Sequence, residues 1–117
     1  MYRNQDFASQ TLTDAGTVTL DPQHDILDNF EGVVAFIATG TKATGTFAAS
    51  AQLQGSNIST FAEAVNIGSP VTMSDTVPAV IPLGGTVLYF SFYRVVITGS
   101  GTQSTAVVGS YIGKGRK

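Results

Sequence analysis

Few residues in this chain are of the types that do chemistry. His24 is its one histidine. A hydrolytic triad needs such a base beside a nucleophile and an orienting carboxylate, and a catalytic zinc usually draws on more than one imidazole. His24 stands instead in an acidic stretch next to Asp25, the setting of a solvated side chain. Ser50 falls within an alternating strand pattern and lacks the G-x-S-x-G elbow of a hydrolase. Asp21, Asp25, Asp28 and Glu31 are close enough in sequence to raise calcium, which collects roughly 6–8 oxygen ligands, often from one loop. Their spacing is not that of an EF-hand loop. A solvated acidic loop is therefore favoured, with a weak cation site at a subunit contact as the alternative. Gly99-Ser100-Gly101 and Gly113-Lys114-Gly115 lack the full glycine fingerprint and the following helix of a dinucleotide site. Tyr89, Phe92, Tyr93 and Tyr111 could stack on sugar rings if exposed; packing in a core or a subunit interface is the favoured role for them. No catalytic, cofactor or metal site is assigned, and the chain reads as a non-enzyme.

The most partner-like feature is electrostatic. Three of the six cations, Lys114, Arg116 and Lys117, stand in the last four residues. Between Gln5 and Gly113 only Lys42 and Arg94 are cationic, against eight acids. The body is mildly acidic and the tail basic. Such a tail can neutralise phosphates or clamp an acidic protein surface. Three cations without interleaved aromatics disfavour nucleic acid and leave a protein neighbour as the better partner. The N-terminal segment Tyr2-Arg3 is the second candidate contact. Deleting residues 113–117 is expected to spare the fold and weaken assembly in a salt-dependent way.

The elements that would carry these residues are strands. A chain of 117 residues fits one domain with one core. It has no cysteine, so no disulfide supports it. Gly, Ser and Thr make up about a third of the sequence, which favours turns and strands over helices. No signal-peptide pattern and no apolar run of membrane length is present, so synthesis in a cytoplasm and no membrane contact are expected. Residues 16–20 alternate and stop at Asp21-Pro22. Residues 32–39 are apolar on both faces, as in a central strand, and 40–46 reads as a turn-rich connector. In 47–55, Phe47, Ala49, Ala51 and Leu53 point inward while Ser50, Gln52 and Gln54 point out. Residues 58–64 form the one helix-like segment, with Ser56 or Ser59 as its cap. Residues 66–72 and 76–81 look like edge strands, each carrying a Pro. Gly84-Gly85 turns the chain into 86–92, and 93–98 and 102–112 pair as a hairpin across a Gly/Ser turn. The expectation is an all-β antiparallel sandwich, Ig-like or jelly-roll-like. It has about eight short strands and at most one short helix, in a single domain over 1–117, with a flexible N-terminal arm 1–5 and a basic C-terminal tail 113–117.

Three segments form an ordered set: Ala51-Gln52-Leu53-Gln54-Gly55-Ser56-Asn57, then Val65-Asn66-Ile67-Gly68-Ser69-Pro70-Val71, then Tyr93 through Ser104 (YRVVITGSGTQS). The set resembles small β-sandwich virion proteins of tailed bacteriophages, over about two-thirds of the chain. Where such proteins often carry a short Asp-Gly turn with a Trp, this chain has Ile58 to Ala64, and Phe61 is the candidate for the Trp's place. The resemblance implies a non-enzymatic structural subunit of a phage particle. It would be a capsid auxiliary (decoration) protein, binding the major capsid or other virion proteins through symmetric contacts and forming homo-oligomers. A tail or connector subunit and a carbohydrate-binding or adhesion module are the alternatives. Few lysines guard the expected edge strands, which suggests that neighbouring subunits cover them.

Overall fold

Alternation of apolar and polar side chains decides which face each strand buries. The computed structural model describes residues 2–21, 30–58, 60–82 and 90–115, with side chains over 6–21, 35–58, 60–82 and 90–113. Its strands are β1 (Tyr2–Asp6), β2 (Gln10–Thr13), β3 (Thr17–Leu20), β4 (Phe30–Gly45), β5 (Ala49–Ser56), β6 (Val65–Met73), β7 (Ala79–Pro82), β8 (Phe92–Gly99) and β9 (Gln103–Gly115). They form two antiparallel sheets. The first has the order β1-β9-β4-β7, with β2 also paired to β9; the second has the order β3-β8-β5-β6. The chain is an all-β sandwich, with no helix among the described residues.

One apolar cluster draws equally on both sheets. Phe7, Leu12, Phe36, Ala38, Ala79, Ile81, Val107 and Tyr111 come from the first, and Val18, Leu20, Ala51, Leu53, Met73, Tyr93, Val95 and Ile97 from the second. A chain of rings crosses it: Phe7 to Tyr111 at 5.6 Å, Tyr111 to Phe36 at 5.4 Å, and Phe36 to Tyr93 at 5.7 Å between centroids. Tilted aromatic pairs at such distances are favourable beyond the area they bury. The inward set expected for β5 holds: Ala51 and Leu53 are fully buried, and Phe47 and Ala49 pack against the cluster.

Four local expectations change. Residues 40–45 continue β4, whose ladder with β9 runs to Gly45↔Gln103. Gly40 is not a turn residue there: a Cβ on it would lie 2.8 Å from the Phe47 ring, so the position is kept bare for that ring. Residues 58–64 make two tight turns, Phe61 N–H to Ile58 O (2.9 Å) and Ala64 N–H to Phe61 O (3.2 Å), and Phe61 itself has φ +58°, which no helix accommodates. Ser56 still caps the segment, its Oγ accepting from Ile58 N–H at 3.0 Å. Strands β8 and β9 do not form a hairpin. β8 pairs with β3 and β5, β9 with β1, β2 and β4, and the turn after Gly99 crosses from one sheet to the other.

Finally, the chain ends are strands within the described residues. Tyr2–Asp6 pairs with β9 through Tyr2↔Lys114 and Arg3↔Gly113, so residues 2–5 are not a free arm and 113–115 not a free tail. The acidic loop expected over 21–31 gives its last residues, Phe30 and Glu31, to β4; its residues 22–29, Ser59 as a cap and the turn at Gly84-Gly85 lie outside the described residues.

Candidate functional site

The strand ladders bring the two terminal candidates together. Tyr2 and Arg3 on β1 face Lys114 and Gly113 on β9. Two segments read separately from the sequence thus lie side by side in the first sheet, β1 at its edge and β9 between β1 and β4. Arg116 and Lys117 lie outside the described residues, as do His24, Asp25, Asp28 and Tyr89. Asp21 is half-buried at the end of β3.

Tyr93 and Tyr111 are buried, at 3 % and 0 % exposure, and belong to the ring chain of the core. They do not form the exposed aromatic row that a sugar platform would use. Burial pushes the Tyr111 phenol up to about 12, because the charged form would lose its solvation there.

The outer face of the first sheet is apolar and hydroxylic. Ile37 of β4 stands between Val80 of β7 and Ser110 of β9, with Thr39↔Val108 in the next row. Val80 and Val108 are about half exposed. A shallow groove of about 320 Å³ runs here, lined by Ile37, Thr39, Val108 and Ser110 with Asp6 and Phe7 at its β1 end. The outer face of the second sheet is built of amides and hydroxyls. One row is Thr17↔Thr98↔Ser50↔Thr72, the next Thr19↔Val96↔Gln52, the third Arg94↔Gln54↔Asn66. Arg94 Nε–H donates to Gln54 Oε1 at 2.8 Å, and Gln54 Nε2 donates to Asn66 Oδ1 at 2.9 Å. The Arg94 guanidinium lies 4.4 Å from the centroid of the buried Phe61 ring. Sequence reasoning missed Arg94 as a site residue; the period of two in Tyr93-Arg94-Val95 is the signal that turns it outward. Its partners, 40 residues away in sequence for Gln54, carried no such signal.

The edges of both sheets are blunted. β3 and β7 have four residues each, and β7 starts after Pro78 and ends on Pro82. β6 carries Pro70, and its register breaks between Ala51↔Val71 and Leu53↔Ile67, around Gly68 at φ +71°. Short strands, prolines and bulges protect an edge as lysines do. Unguarded edges therefore no longer argue for covering subunits.

No protein-family model matches the chain, and no curated protein matches it. The three sequence segments 51–57, 65–71 and 93–104 fall on β5, β6, β8 and the start of β9. Three of these strands are the adjacent lanes β6-β5-β8 of the second sheet.

Proposed function

We propose that this chain is a non-enzymatic structural subunit of a phage particle, an auxiliary protein that docks on the head through protein–protein contacts. The observation that carries the reading is the ordered set of resembling segments, which maps onto three neighbouring strands and the crossover that follows them. The two outer faces support it. Their rows carry two charges, Asp6 at the β1 end of the first face and Arg94 on the second, among apolar, amide and hydroxyl side chains. Depletion of charge is the compositional mark of interface cores, whereas a free surface is usually studded with Lys and Glu.

Mass spectrometry of separated heads and tails from particles made with this gene tests the proposal. The chain is expected in the head fraction at a fixed ratio to the capsid protein. Recovery from tails alone would replace the head assignment by a tail or connector role. Absence from both would overturn the structural reading.

A further inference from the structure

Arg94 is held on the second face in a way that leaves a specific vacancy of chemistry. Guanidinium is a pure donor. Gln54 must therefore turn Oε1 toward Arg94, which sends its Nε2 the other way, to Asn66. Asn66 must then present Oδ1 to Gln54 and turn its own Nδ2 outward. The guanidinium thus fixes both amide orientations, without any ambiguity between oxygen and nitrogen. Along this row both amide oxygens are used internally. What remains for an outside group is mostly donors: the two Nη groups of Arg94, Nδ2 of Asn66 and the second N–H of Gln54 Nε2, against one spare lone pair on each amide oxygen. Among the described residues the side-chain partners of Arg94 are Gln54 and the Phe61 ring, and no carboxylate.

The arrangement is also rigid. Phe61 holds φ +58°, costly for a bulky side chain, with its ring 7 % exposed beneath the guanidinium. Ordering of the arginine is completed during folding, so little rotamer freedom is left to lose when a partner arrives.

We propose that the Arg94–Gln54–Asn66 row is the receptor for a single carboxylate, that of an Asp or Glu side chain on the protein against which this face docks. A carboxylate accepts two parallel N–H bonds from a guanidinium fork. A polyanion suits the site poorly, because the body between Gln5 and Gly113 sets eight acids against Lys42 and Arg94. The proposal rests on the docking role given above and names the chemistry of the partner surface.

The test is attachment of the purified full chain to particles that lack it. Arg94→Gln is expected to weaken attachment about tenfold or more, and Arg94→Lys to restore only part of it, since an ammonium has no fork. Asn66→Asp keeps the Gln54 contact and sets a like charge beside the site; it is expected to weaken attachment while Arg94 stays in place. Thermal unfolding of each variant reports its fold, and Asn66→Asp keeps the test open if Arg94→Gln loosens the Phe61 turn. Wild-type attachment that neither Arg94→Gln nor Asn66→Asp weakens overturns the receptor alone. Failure of the wild-type chain to attach to heads or tails overturns the docking role, and the receptor with it.

Discussion

Tyr111 shows how much a single side chain can report. The sequence reading left it to a core or a subunit interface, and the structure seats it at 0 % exposure between Phe7 and Phe36. Its phenol is raised from 10.0 to about 12 by burial. A group that holds its proton more tightly when folded contributes stability that is complete below the unfolded value and is lost as pH rises through the folded one. Stability should therefore fall between pH 10 and about 12, by up to about 3 kcal/mol from this group. Urea denaturation across that range checks it: Tyr111→Phe should remove this part of the alkaline slope, and an unchanged slope would assign it to other groups. Arg94 was legible only halfway. Its outward direction followed from the alternation of Tyr93, Val95 and Ile97, all buried. The stack on Phe61 and the amide row did not, because they depend on a loop and two strands that meet only in the folded sheet.

Among the elements, the junction of β8 and β9 is the instructive one. Both strands alternate well and are joined by a Gly/Ser turn, so pairing as a hairpin was the natural reading. Gln103 shows what overrides it. The residue is buried; its Nε2 donates to Ala48 O (2.8 Å) and Ser100 O (3.0 Å), and its Oε1 accepts from Thr105 Oγ1 at 2.7 Å. Its N–H donates to Asp14 Oδ1 at 3.0 Å and its C=O accepts from Asp14 N–H at 2.8 Å. These bonds tie β9 to the turn after β2 and to the chain entering β5, and so carry β9 across to the first sheet. Gln103→Leu keeps the main-chain bonds to Asp14 but removes both Nε2 bonds and leaves the buried Thr105 hydroxyl without its acceptor, and should cost roughly 1–3 kcal/mol. The urea midpoint should fall accordingly, and a midpoint shift near zero would show that the crossover is held by packing alone. β1 and β2 were missed for a different reason. They are short, interrupted at Phe7–Ser9, and too polar to show a period before β9 supplies the partner.

For the molecule as a whole, the ladder between the two termini revises the expected effect of truncation. Removing residues 113–117 deletes the partners of Tyr2 and Arg3 on β1 and of Phe30, Gly32 and Val33 on β4. The fold should then lose at least about 2 kcal/mol, on the scale of a few backbone hydrogen bonds. Replacing Lys114, Arg116 and Lys117 by Ser removes charge without removing backbone. That variant should keep the wild-type melting temperature and lose particle attachment most at low salt, where screening is weakest. A melting temperature unchanged by the truncation would contradict the terminal ladder. The all-β class, the inward residues of most strands and the edge positions of β6 and β7 could be read from the chain alone. Each is written locally, in alternation, turn residues and proline placement, and a half-buried strand cannot do without them. Which strands lie side by side and which stack face to face could not. Two alternating strands satisfy their apolar faces either way, and the choice rests on contacts such as Gln103 with Asp14, 89 residues apart. The same distance in sequence hid the Arg94 row and the meeting of the termini, which exist only once β5, β6 and β8, and β1 and β9, share a sheet.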